Sequence, residues 1–147
     1  PTAGATVTNT ATVTGTGITT PLTATSTTTV NDAPRLTVTK SLSPTTVAEN
    51  GQLTHTFTIQ NYGNTETLAT DTTTLTDTFN PILNPITVTY NGAAWAASNY
   101  TYDTATGVFT TTPGAITVPA ATATQNETTG IWTVTPGTTI LTVSGTV

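Results

Sequence analysis

Threonine alternates with apolar residues along most of this chain, and that alternation excludes more folds than any other feature. In TVTNTATV, PLTATSTTTV, LTVTK, QLTHTFTIQ, TTTLTDTF and LTVSGTV a polar residue, mostly threonine, recurs at every second position. That is the period at which a β-strand sends side chains to opposite faces. No 3.6-residue period gives a helix an apolar stripe. Threonine is roughly every third residue; being β-branched, it prefers strands and suits the solvated face of a sheet. The pattern predicts strands near 5–14, 21–30, 35–41, 52–60, 72–79, 86–90, 107–111, 115–118, 131–135 and 139–147. Turn-forming stretches separate them, among them NDAP, ENG, NYGN, NPILNP and YDTATG. Many short strands with regular turns predict an all-β sandwich.

Charge narrows the function. The chain has 147 residues, enough for one domain with a proper core, and a net charge of -5 with only two cations. No basic patch for nucleic acid can be assembled from those. Charged residues are only 6%, too few for the self-repulsion that usually keeps a chain disordered. No apolar run approaches membrane-spanning length. Without Cys or Met there is no disulfide and no thiolate metal site, so an exported protein would need another source of toughness. His55 is the only histidine and is in phase with Leu53, Phe57 and Ile59, which suits the core or its rim better than a metal. The acidic residues are scattered, with Asp71 near a loop a weak calcium candidate. No GxSxG motif or second base accompanies the serines. We expect no metal, no cofactor and no enzyme with turnover. A chain opening at Pro1 without a signal peptide reads as a mature product or an excised repeat.

The segments APRLTVTKSLSP, GQLTHTFTIQNYGNT, LTDTF and TNTATVTGTG occur together. In this the chain resembles the Ig-like surface repeats found in tandem on large bacterial and archaeal envelope proteins. The resemblance implies an Ig-like β-sandwich at a prokaryotic cell surface. It also implies an order that this chain departs from. In the family a TNTATV-like segment closes a repeat and an LTVTK-like segment opens the next; here the closing segment comes first. Residues 1–33 therefore read as a donor-strand arm and linker, and 34–147 as a sandwich lacking its closing strands. The arm's inward set would be Val7, Asn9, Ala11 and Val13, followed by Leu22 and Ala24. For self-completion, Asn31–Pro34 would have to span a strand length; four residues reach at most roughly 14 Å, against about 17–20 Å for a typical strand. The expectation is a homopolymer of identical subunits, an extracellular pilus-like filament built head-to-tail by donor-strand complementation. The alternative is one repeat of a long single-chain stalk or adhesin.

Three strands each carry one polar residue on the apolar side: Lys40 with Leu36 and Val38, Asp77 with Leu75 and Phe79, and Asn9 in the arm. Isolated buried charges are costly and are normally paired. The trio resembles the isopeptide-forming domains of Gram-positive adhesins and pili. That resemblance implies Lys40 as nucleophile, Asp77 as catalyst and Asn9 as acceptor. Apolar surroundings favour the uncharged forms of amine and acid. Lys40 would attack the Asn9 amide carbon while Asp77 polarises the amide oxygen and relays protons as ammonia leaves. Asn61, in phase with Phe57 and Ile59, is a rival acceptor within one chain. Simpler roles stay open: Lys40 snorkelling or paired with Asp77, and Asn9 satisfying a sheet edge.

WAASNYTYD gathers Trp95, Tyr100 and Tyr102, which either stack on a glycan or protein partner or cap the core. Asn99-Tyr100-Thr101 and Asn126-Glu127-Thr128 match the short N-glycosylation pattern.

Overall fold

A computed structural model of the chain describes residues 5–147. It is all-β, with antiparallel sheets throughout and two single turns of 3-10 helix, Ala69–Asp71 and Ala97–Asn99, among the described residues. The chain divides into two units, Pro1–Asp32 and Ala33–Val147.

The first unit is a hairpin of β1 (Thr6–Val13) and β2 (Leu22–Thr29). Register gives it two unlike faces. Directly opposed residues share a face, so Val7, Asn9, Ala11 and Val13 lie with Thr28, Ser26, Ala24 and Leu22. The other face is wholly threonine, in the pairs Thr6–Thr29, Thr8–Thr27, Thr10–Thr25 and Thr12–Thr23. Every residue of both strands is exposed.

In the second unit, β3 (Leu36–Ser43), β4 (Gln52–Asn61), β6 (Ile86–Tyr90), β7 (Ala93–Ala94) and β12 (Gly137–Thr146) form a five-stranded sheet in the order β3-β4-β12-β6-β7. A three-stranded sheet runs β5-β9-β8, from β5 (Thr76–Thr78), β8 (Tyr100–Tyr102) and β9 (Val108–Thr111). A separate hairpin joins β10 (Thr122–Gln125) to β11 (Trp132–Thr135). Alternation is cleanest in β4, where Leu53, His55, Phe57, Ile59 and Asn61 are buried and the intervening residues are not. The main core takes Leu53 and Phe57 from β4, Leu141 and Val143 from β12, Val88 from β6 and Phe109 from β9, with Phe79 and Leu83. A smaller cluster joins Ile59 to Ile116 and Val118.

Two predicted strands differ. The stretch 72–79 is sheet only at 76–78, because Thr72 turns into the left-handed region (φ 51°) to close the 3-10 turn before it. Residues 115–118 join no sheet although Ile116 and Val118 are fully buried. Side chains take the place of ladder partners there. Val118 N donates to Thr67 Oγ1 (2.7 Å) and Thr117 N to Tyr90 Oη (3.0 Å), while the Thr117 carbonyl accepts from Tyr90 and Thr139. Such partners satisfy buried backbone as well as a neighbouring strand would.

Candidate functional site

β3 is where pattern and burial part company. Leu36, Val38, Lys40 and Leu42 share its inward side, yet the whole strand is exposed, with Leu36 at 39% and Val38 at 60%. β3 pairs with β4 on one edge only, and β5 is the edge of the smaller sheet. Between these edges runs an open groove of about 460 Å³. Leu36, Val38, Phe57 and Ile59 line it on one side, and Leu75 and Ile116 on the other.

Lys40 and Asp77 meet in an ion pair at this groove, their side chains 37% and 21% exposed. Register sets Lys40 opposite Phe57. Its ammonium stands 5.6 Å from the Phe57 ring centre and 5.7 Å from that of Phe79, a cation–π position on each. A pair this open adds little to stability by itself. Its consequence is positional: the amine and the carboxylate are held together beside apolar rings at the mouth of the groove.

His55 lies behind them. It is 2% exposed, stacks on Phe79 at 4.3 Å between ring centres, and neither ring nitrogen has a hydrogen-bond partner among the described residues. Burial pushes its pKa below the ordinary 6.5, the Lys40 charge pushes it further down, and Asp77 opposes both. The folded protein therefore binds this proton less readily than the unfolded chain. Stability should be fully present above pH 6.5 and decline as pH falls through the lowered native value. Denaturant melts across that window should show the decline, and His55→Phe should flatten it.

The structure does not bring Asn61 to Lys40. Asn61 is fully buried, and its amide is consumed on both sides. Oδ1 accepts from Arg35 N (2.8 Å) and Gly63 N (2.9 Å); Nδ2 donates to the carbonyls of Thr65 (2.7 Å) and Pro119 (3.0 Å). It also pairs with Leu36, four residues from Lys40 along the ladder, or about 13 Å. Its role is a clamp on the start of the second unit. There the chain packs so closely that a Cβ on Gly63 would sit 2.1 Å from the Ala33 carbonyl oxygen. Asn61→Ala should destabilise the fold by about 3 kcal/mol, since four part-buried backbone groups lose their bonds to it; a urea titration measures it.

Asn9 is exposed on β1, opposite Ser26. Trp95, Tyr100 and Tyr102 are half-buried. Trp95 stacks between Tyr90 and Tyr100, Tyr100 rests on Phe109, and the Tyr102 hydroxyl bonds both backbone groups of Leu83. The freely exposed tryptophan is Trp132 on β11, beside Ile131 and Val134. Asn126 sits in the turn of that hairpin, its Oδ1 accepting from Thr128 N and Thr129 N. Asp71 is engaged by the Leu68 amide.

Comparison with protein-family models, with curated proteins and with solved structures finds no match to this chain.

Proposed function

We propose that this chain is the structural subunit of an extracellular fibre at a prokaryotic surface. On this reading it is an Ig-like sandwich that identical subunits complete for one another by donating residues 5–30. The observation that carries the reading is the open groove beside β3. Its apolar side chains Leu36 and Val38 are exposed, as expected of a sheet that a further strand would cover. The chain itself carries a hairpin whose one face joins Val7, Ala11, Val13, Leu22 and Ala24 to the polar Asn9, Ser26 and Thr28, at the matching two-residue spacing. Adding strands to an exposed sheet edge gains backbone hydrogen bonds and buries that row. It also removes an edge that would otherwise invite random aggregation. Threonine on the outer faces would keep such a fibre soluble with little charge.

Within this reading the Lys40–Asp77 pair is the seat of a crosslink. Once the arm of a neighbour covers the groove, the Lys40 Nζ–Asn9 Cγ bond would form and the Asn9 Cγ–Nδ2 bond would break. Asp77 would carry the amine proton to the departing ammonia. Close packing supplies the effective concentration.

An excess of free peptide spanning 5–30 should occupy the groove and stop elongation of the whole chain, followed by light scattering and electron microscopy. Elongation indifferent to saturating peptide would remove strand donation. The single-chain stalk predicts particles of one mass where the fibre predicts an open-ended distribution.

A further inference from the structure

We propose that the arm docks as an intact two-stranded ribbon on the free edge of β5 in a second copy of this chain, with Asn9 beside Asp77 and over Lys40. This rests on the strand-donation reading and adds to it the number of strands, the edge, the direction and the register.

Strand count comes first. One sheet has five strands and the other three, and the uncovered part of the larger is β3 with the adjoining side of β4. Two strands added to β5 would equalise the sheets. At about 4.8 Å per strand they would roof a width of about 10 Å, that of two strands below. The hairpin offers just those two, already paired over eight rungs from Thr6–Thr29 to Val13–Leu22. Feeding one strand to each sheet would break that ladder first. Laid apolar face down, the ribbon turns its threonine pairs outward, as β4 turns Thr54, Thr56 and Thr58.

Polarity of the groove fixes register and direction. Lys40 marks one end and Leu36 the other. A β1 running antiparallel to β3 with Asn9 over Lys40 sets Ala11 over Val38, Val13 over Leu36 and Val7 over Leu42. Each apolar residue then meets an apolar one, and the lone carboxamide meets the ion pair. A slip of two residues in either direction puts Val7 or Ala11 on the ion pair and buries the Asn9 amide among aliphatic groups, at the cost of an unpaired polar group.

Direction identifies the donor. In this register Thr6 and its rung partner Thr29 fall level with Ser43, seven residues from Leu36, or about 23 Å. Ala33 is held beside Gly63 at the Leu36 end. The four steps from Thr29 to Ala33 reach at most about 14 Å. A protomer's own arm cannot arrive in this orientation, so the ribbon comes from another copy. Repetition of such a contact is head-to-tail and open-ended.

The test uses the absence of cysteine from the whole chain. Thr10 and Thr25 oppose each other on the threonine face with their hydroxyls 3.1 Å apart. Thr10→Cys with Thr25→Cys should therefore close a disulfide across the hairpin. The expected result is fibre growth by the oxidised protein at the rate of the same protein reduced. Stalled growth when oxidised, restored by reductant, would mean that the strands separate on docking; that overturns the ribbon and leaves strand donation standing. Stalled growth in both states, with the unmodified chain growing, would mean that the threonine face is itself buried, which also overturns the proposal. Failure of the unmodified chain to form fibres would remove the underlying reading instead.

Discussion

A chain starting at Ala33 should stay folded and should not elongate. The residues of both buried clusters belong to the second unit. Its melting should therefore remain cooperative. Its groove would stay open, with Leu36, Val38 and Leu42 facing water. On the proposed reading such a subunit would receive an arm and have none to give. Mixed with the whole chain, it should terminate growth at one end, so that fibre length falls as its share rises. Light scattering reads the loss of polymer and electron microscopy the shortening. Fibres of ordinary length from the truncated chain alone would show that the arm is not the joint. Truncated chains that remain monomeric but fail to shorten mixed fibres would show that the groove is not the acceptor.

Most strand positions were readable from the sequence because alternation and burial have the same period here, although the short β7, β8 and β10 were not predicted. β4 and β12 follow it almost residue by residue. The Lys40–Asp77 pair was readable too, since each residue is the single polar member of an otherwise apolar inward set. What could not be read were features in which something other than the neighbouring strand decides. Residues 115–118 look like a strand, and Ile116 and Val118 are buried as one would be, yet hydroxyls of Thr67 and Tyr90 take the ladder's place. Asn61 has the phase of a crosslink acceptor. Only the backbone path through the Gly63–Thr65 turn and the approach of Arg35 and Pro119, distant in sequence, reveal that its amide is fully engaged. The exposure of β3 was hidden for a related reason. Alternation tells which side of a strand is apolar and cannot tell whether anything lies over it.

Lys40→Ala should turn a ladder that survives boiling in detergent into single subunits, while fibres in native buffer persist. The two outcomes separate because different interactions carry them. On the proposed reading, strand docking would depend on backbone hydrogen bonds and on Val7, Ala11 and Val13 against Leu36, Val38 and Leu42, none of which needs the amine. The covalent joint needs the Lys40 nitrogen, which the Phe57 and Phe79 rings and Asp77 hold at the groove. Asn9→Ala should abolish the ladder in the same way, having no amide carbon to attack. Asp77→Ala should do so as well, since it removes the proton carrier and leaves the ammonium without its counter-ion. Each joint in the unmodified fibre should be lighter than two separate subunits by one ammonia, on a peptide pair containing Lys40 and Asn9. Fibres grown from a mixture of isotopically heavy and light subunits should give heavy–light pairs if, as proposed, donor and acceptor are different molecules. Pairs of uniform isotope only would place the bond within one chain. A ladder that outlasts Lys40→Ala would remove the lysine from the joint altogether.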